Sequence, residues 1–311
     1  MKNLKEVVEE LCKKYNLTIQ KTLGAEFNKN DIYGALNNDG VYKVIDNQGR
    51  IFVLKIGVTE KGIKEISMNI TGYQRLMECG LSWFVPKIVA SEINEQFAVI
   101  LMEYCGESFV TQIRKTKDPL GLYRRLLDEL ERVYNQSKRR SNEGREMINS
   151  IINLTIDHYE RYLYMYLDKE RNLASRLMKL RFSIRTEGLE FCCFSSWDFV
   201  PENICLTALG LKYIDPRKDI IGIPIVDLAC FAGLIRLYDL PEATKGYQMF
   251  KEFALTRIPS ILDIPEGLPP KIFFLGRVLQ CFLSARFRIT NKPEQARQIF
   301  SEGQAYLEKI T

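Results

Sequence analysis

Three oxygen-bearing side chains stand close together late in the chain. Asp198 and Asn203 lie in Trp197-Asp198-Phe199-Val200-Pro201-Glu202-Asn203-Ile204-Cys205-Leu206, and Asp215 ends Leu211-Lys212-Tyr213-Ile214-Asp215. Two short apolar strands flanking a turn would leave Asp198 and Asn203 at one mouth and Asp215 at the end of the neighbouring strand, so that all three face one site. Carboxylate and amide oxygens suit Mg²⁺, which keeps waters and phosphate oxygens in its remaining octahedral positions. Asn203 and Asp215 are therefore the expected metal ligands, and Asp198 is expected to orient an acceptor hydroxyl and take its proton. Phosphoryl transfer from a nucleotide also needs a cation for the phosphates, because the protein contributes mainly position and charge. Lys55 supplies one at the end of Phe52-Val53-Leu54-Lys55, where strand alternation aims it opposite to Leu54 and beneath the preceding turn.

D-x-x-x-x-N alone is a common spacing; the order of the parts sets this chain apart, and that order depends on the elements between them. DIYGALNNDGVYKVIDNQGRIFVLKIG holds two β-branched and aromatic runs, VYKVI and IFVLKI, joined by Asp46-Asn47-Gln48-Gly49, which predicts an antiparallel hairpin. In KGIKEISMNITGYQRLMECG the apolar Ile66, Ile70, Tyr73, Leu76 and Met77 recur at helical spacing up to Gly80. VPKIVAS and FAVILMEY read as two further strands, and MKNLKEVVEELCKKYNL as an amphipathic opening helix. After Gly106 helices dominate: one over 118–136, a long Tyr- and Leu-rich one over about 143–180, and several beyond Leu228. A short β-like island, LEFCCFSSWDFVPENICLTALGLKYIDPRK, interrupts them. The expected class is α+β, with a small antiparallel-sheet lobe over residues 1–104 and a larger, mainly helical lobe over 105–311.

Composition narrows the chemistry further. With 311 residues, 46% of them hydrophobic, the chain can bury one large core or two smaller ones, and two lobes are expected. One histidine, His158, in a tyrosine-rich helix leaves no basis for Ser-His-Asp catalysis or histidine-held metals. The eight cysteines are scattered among apolar residues without a C-x-x-C pair, which reads as buried reduced thiols, neither a zinc site nor a disulfide frame. A net charge of +5 with only Lys138-Arg139-Arg140 as a basic run argues against a nucleic-acid partner. No stretch approaches the length of a membrane span, and no signal peptide is evident, so a cytoplasmic location is expected.

At these residues the sequence resembles the protein-kinase-like superfamily, and within it the aminoglycoside phosphotransferase and choline kinase group, from about Tyr33 to Leu228. Trp197-Asp198 through Asn203 carries the sharpest likeness, followed by Ile214-Asp215-Pro216-Arg217. Next comes Gly222-Ile223-Pro224-Ile225-Val226-Asp227-Leu228-Ala229, which looks like the group's G-D-P-x-x-D-L-A run. The resemblance implies a bilobal protein-kinase-like fold with ATP, or another nucleoside triphosphate, and Mg²⁺ as cofactors. It implies that Asp227 is a structural acid bracing the catalytic loop. Glu103-Tyr104-Cys105-Gly106 looks like the hinge, whose backbone at Glu103 and Cys105 would bind adenine while Met102 lines the pocket. Asn38 and Gly40, in the partly glycine-rich turn Gly34 to Gly40, would present backbone N–H groups to phosphates. The lysine's usual glutamate partner falls near Asn69 or, one turn earlier on the same helix face, Glu65; Glu65 is the expected partner because an amide cannot form an ion pair. Ser196-Trp197 stands where the group places His-Gly, and Ile223 replaces an acid.

Acceptor specificity is expected from the helical part after Asp227. Acids and bases there are nearly balanced, which favours a neutral or anionic hydroxyl acceptor such as a sugar, polyol or nucleoside over a polycationic aminoglycoside. Trp83, Tyr238, Tyr247, Phe250, Phe273 and Phe274 could stack on a ring or pack the core. Three readings stay open at this level: a kinase that phosphorylates a hydroxyl of a small molecule; a kinase-like enzyme acting on a protein or transferring a nucleotidyl group; and a nucleotide-binding pseudokinase scaffold. The oligomeric state is left undetermined.

Overall fold

The computed structural model describes residues 3–23, 39–164, 171–196 and 199–311, so the expected roles of Asn38 and Asp198 lie outside the described residues. Two compact units divide the chain: Met1–Glu107 with Thr207–Lys218, and Ser108–Leu206 with Asp219–Thr311. The first stretch of the sheet-bearing unit ends at Glu107. Thr207–Lys218, expected in the helical lobe, belongs instead with the sheet.

In the first unit, α1 (Leu4–Lys14) starts at a reciprocal cap: Asn3 Oδ1 accepts from the Glu6 amide at 2.9 Å, and the Asn3 amide donates to Glu6 Oε2 at 3.2 Å. The helix ends earlier than the expected segment through Leu17, because Asn16 adopts a left-handed conformation (φ 53°) and turns the chain into β1 (Leu17–Thr22). Only Leu17 of that edge strand is buried, so it carries no alternating pattern to read. β2 (Gly40–Asp46) and β3 (Ile51–Gly57) form the expected hairpin, Ile45 facing Ile51 and Gly40 facing Ile56. Its turn is closed by Asp46, whose Oδ1 accepts from the Gln48 and Arg50 amides, both at 2.9 Å. α2 (Glu60–Glu78), β4 (Ile88–Ile93) and β5 (Ala98–Glu103) follow, giving an antiparallel sheet in the order β1-β2-β3-β5-β4. One face of the sheet, with Val44, Leu54, Ile56, Val99 and Leu101, packs on Val7, Val8 and Leu11 of α1. The other face takes α2 through Ile66, Tyr73 and Leu76. Strand alternation therefore puts Lys55 and Met102 on the α2 side.

The second unit is mainly helical, starting with α3 (Phe109–Lys115) and α4 (Pro119–Ser137). After β6 (Arg139–Arg140), the long helix expected over 143–180 resolves into α5 (Glu143–His158), a π-helical turn at Tyr159–Leu163 and α6 (Arg171–Ser183). β7 (Phe191–Phe194) leads past a 3₁₀ turn, Pro201–Asn203, to β8 (Ile204–Thr207), while β9 (Gly210–Tyr213) lies in the returning segment of the first unit. β10 (Ile221–Gly222) pairs with β7, which also pairs with β6. Helices α7 (Ile225–Leu237), α8 (Ala243–Leu262), α9 (Leu268–Arg288) and α10 (Pro293–Leu307) complete the unit. Phe231 of α7 is fully buried among Phe109, Phe199 and Phe250. Phe250 and Phe273 are core residues, and Tyr247 is nearly so.

A buried cation lies within this helical core. Arg277 of α9 is 2% exposed and donates to Gln280 Oε1 at 2.5 Å and to Glu302 Oε1 at 3.0 Å, with its guanidinium 5.0 Å from the Tyr306 ring centroid. Gly233 of α7 makes room for it: a Cβ built there would sit 1.3 Å from Arg277 Nη1. The guanidinium cannot retreat without losing its acceptors, and an unpaired buried charge is costly. We expect Gly233→Ala to destabilise the protein by about 1–3 kcal/mol, read as a lower urea midpoint at unchanged m-value.

Candidate active site

Lys55 extends from β3 toward α2 and donates from Nζ to Asp215 Oδ1 at 2.7 Å; its side chain is 7% exposed against 32% for Asp215. These residues are 160 positions apart in sequence and belong to the same unit. Asp215 follows β9 with a left-handed backbone (φ 66°), a conformation that Asp tolerates better than most residues. Its amide donates to Tyr73 Oη at 3.2 Å, and that hydroxyl donates to Met102 Sδ at 3.4 Å. Burial alone would raise the Asp215 carboxyl; the charge and hydrogen bond of Lys55, with Arg217 nearby, outweigh it and hold the group below its ordinary range.

The ion pair expected between Lys55 and Glu65 is replaced. Glu65 Oε2 accepts from Arg217 Nη1 at 2.5 Å, and Asn69 Nδ2 donates to the Pro216 carbonyl at 3.0 Å. Both α2 positions lie on the face that meets residues 215–218, so the backbone and the arginine of that segment use them while Asp215 supplies the carboxylate for Lys55. Arg75 continues the seam, donating to the Lys218 carbonyl at 2.8 Å. Gly72 sits against this segment so closely that a Cβ there would lie 2.4 Å from the Arg217 carbonyl oxygen.

In the segment expected to form the hinge, Met102 is buried and Glu103 meets Lys212, with Oε1 3.7 Å from Nζ. The Glu103 amide is spent on the Lys87 carbonyl and the Tyr104 amide on that of Ile51. The Cys105 thiol lies 3.8 Å from the Glu103 carbonyl. Gly40 opens β2, and the preceding Asp39 caps the entry to α2: its carboxylate accepts from the Val58 and Thr59 amides at 2.5 and 2.6 Å. Sequence reasoning missed Asp39, Tyr73, Arg217 and Lys212. Asp39 preceding Gly40 and Arg217 inside Ile214-Asp215-Pro216-Arg217 were visible signals; the partners of Tyr73 and Lys212 had none.

In the second unit, Asp227 lies in the first turn of α7 and is 2% exposed. Its Oδ2 accepts from the Ser195 hydroxyl at 2.9 Å and the Ser196 amide at 2.5 Å. These two serines, both fully buried, supply the donors to Asp227 where the sequence lacks the His-Gly pair. Phe199 is buried against Phe194 and Phe231, with its amide bonded to the Ser196 carbonyl at 2.9 Å. Asn203, half-buried, closes the 3₁₀ turn by donating its amide to the Val200 carbonyl at 3.0 Å. Gln112 of α3 secures the strand beyond it, donating to the Leu206 carbonyl at 2.7 Å and accepting from its amide at 3.2 Å.

Other reactive groups have structural surroundings. Burial pushes the Cys205 and Cys281 thiols up to about 12, far from a nucleophilic thiolate. Burial, with Arg286 beside the ring, lowers His158. Lys138, Arg139 and Arg140 pair with Asp263, Glu143 and Glu190 respectively. Among the described residues no helix is long and apolar enough to cross a membrane.

No family model matches the sequence, and no curated protein does. Solved structures do. The choline kinase LicA from Streptococcus pneumoniae superposes with a TM-score of 0.58 at 14% identity, covering 98% of each chain. An aminoglycoside-3'-phosphotransferase of type VIII gives 0.53 at 14% identity over 91% of this chain and 98% of its own. The chain has the protein-kinase-like fold of small-molecule kinases. Amicoumacin kinase hAmiN, in complex with AMP-PNP, Ca²⁺ and Ami, is similar across 99% of this chain and 94% of its own, with a TM-score of 0.51 at 12% identity. At these identities the shared property is the fold.

The Lys55–Asp215 pair makes stability depend on pH in one direction. A carboxyl lowered in the folded state contributes fully above its unfolded value of about 3.9 and loses that contribution as pH falls through the folded value. Between pH 5 and 3 the wild-type unfolding free energy should therefore drop more steeply than that of Asp215→Asn, and the gap between the two should narrow. Urea titrations across pH 3–7 measure both slopes, and parallel curves would contradict a lowered Asp215.

Proposed function

We propose that this protein is an ATP- and Mg²⁺-dependent phosphotransferase that moves the γ-phosphate of the nucleotide to a hydroxyl of a small molecule. The observation that carries this reading is the Lys55–Asp215 ion pair, a buried cation and a partly exposed carboxylate brought together from 160 residues apart. Each of these groups has a natural counterpart in a metal–nucleotide complex: phosphate oxygens for the lysine, the divalent cation for the aspartate. Asp215 carries a carboxylate and Asn203 an amide oxygen, the donor types that Mg²⁺ prefers, and these are the ligands we propose. Bound there, the metal would offset charge on the phosphate oxygens.

The chain's own groups take the remaining roles. Lys55 holds the α- and β-phosphates. Asp198 accepts the proton of the acceptor hydroxyl as its oxygen attacks the γ-phosphorus and the bond to the β,γ-bridging oxygen breaks. Asp227, through Ser195 and Ser196, fixes the strand end that leads into Asp198. The hinge carbonyl of Glu103 and the backbone at Cys105 face adenine, and the turn through Asn38 and Gly40 covers the phosphates. Similarity to kinases of choline, an aminoglycoside and amicoumacin supports a small hydroxyl-bearing acceptor, and the balanced charge after Asp227 favours a neutral or anionic one. Dependence on ATP supports work in the cytoplasm.

Calorimetry with ATP should show binding that tightens when Mg²⁺ is added. Asp198→Ala should keep that binding while losing turnover by about 10²–10⁴-fold, whereas Asp215→Asn should weaken Mg·ATP binding by about tenfold, or 1.4 kcal/mol. A wild type that binds no nucleotide would sink the reading. With labelled ATP and a panel of hydroxyl metabolites, transfer of the α-phosphate would mean nucleotidyl transfer, and binding without turnover on any acceptor would mean a scaffold.

A further inference from the structure

Two cations flank Asp215, and the structure treats them differently. Lys55 holds Oδ1 directly. Arg217 is only two residues away on a segment bent by the left-handed Asp215, near enough for its charge to act on that carboxyl, yet its guanidinium is bonded to Glu65 of α2. An ion pair of this kind on a partly exposed helix face would ordinarily be a minor anchor. The segment has no need of another anchor. Residues 215–218 are already fixed to α2 by the Asp215 amide on Tyr73, the Pro216 carbonyl on Asn69 and the Lys218 carbonyl on Arg75, with Gly72 packed against the Arg217 carbonyl.

We infer that Glu65 is a positioning residue that keeps the Arg217 guanidinium off Asp215, so that the carboxylate stays available to a divalent cation. The inference rests on the phosphotransferase reading and adds an electrostatic role for a helix acid that does not pair with Lys55. When a nucleotide draws Lys55 to its phosphates, the Asp215 carboxylate is released from its first cation. Were Arg217 free, it would take the vacated oxygen, because a guanidinium forms strong, forked hydrogen bonds to carboxylates. Glu65 engages the guanidinium in advance and offsets its charge.

This mechanism predicts an order of effects that simple anchoring would not produce. Glu65→Gln, nearly isosteric, should reduce the Mg²⁺-dependent tightening of ATP binding by about tenfold, the scale of one misplaced nearby charge, while ATP affinity without Mg²⁺ changes by less than about threefold. Removing the released cation as well, in Glu65→Gln/Arg217→Gln, should bring the Mg²⁺ effect back to within about threefold of wild type. Calorimetry of the full chain at several Mg²⁺ concentrations reads all three proteins, with urea unfolding as the control for folding. A double variant no better than Glu65→Gln, or a Glu65→Gln protein equal to wild type, overturns the inference. If Glu65→Gln does not fold, Arg217→Gln alone decides: it should respond to Mg²⁺ at least as strongly as wild type, and a weaker response overturns the inference. Wild-type protein without nucleotide binding defeats the phosphotransferase reading and this inference together, whereas Mg²⁺-coupled binding in wild type with no rescue in the double variant defeats the inference alone.

Discussion

Lys55 is a cation on the inner face of a sheet, covered by α2, and a buried ammonium without a partner costs several kcal/mol. The chain meets that requirement by returning Thr207–Lys218 to the sheet-bearing unit. Much of the local architecture follows from it. β9 carries Asp215 to the lysine, Phe84 stacks on Tyr213 with ring centroids 5.8 Å apart, and Lys212 donates to the Val85 carbonyl at 2.9 Å. α2 then binds four successive residues of the returning segment from one face. The result is a carboxylate whose backbone, side chain and charge are each set by a different neighbour.

The second unit solves a different problem. An aspartate at a helix start, Asp227, is buried and must have donors. A hydroxyl and an amide from adjacent serines supply them, and aromatic packing around Phe199 holds the chain just past Asp198. Small, buried donors can serve an internal acid as well as a ring nitrogen can, at less volume. At the departure from His-Gly, Asp227 is thus bonded to Ser195 and Ser196. Gly233 and Arg277 show the same economy in the helical core, where the absence of one side chain makes space for a charged one.

Much was legible from residue patterns. The β2–β3 hairpin, α2, β4 and β5 follow from strand alternation, a short polar turn and helical spacing, all of which are local in sequence. β1 escaped notice because an edge strand with one buried residue has no period-two signal, and the long helix after 143 was read as continuous because a π-helical turn leaves the apolar pattern almost unbroken. Lys55 and Asp215 stood out by type and order, and Asp227 through the resemblance of its segment to a known run. Arg217 and Asp39 were visible as charges beside proline and glycine, but their partners on α2 and at its entry were not legible, because packing sets those contacts.

By itself the sequence determined which groups could act: one lysine at a strand end, three oxygen donors in a fixed order, a single histidine and no paired cysteines. Those are properties of residue type and spacing, and they survive any arrangement in space. Which acid meets which cation was decided by tertiary structure alone. Glu65 and Asn69 were both plausible partners for Lys55 on helical geometry, yet the segment that returns 160 residues later brings its own carboxylate to the lysine and its own arginine to Glu65. Ion pairing depends on distances of a few ångströms between side chains that the sequence places far apart, and only packing sets those distances.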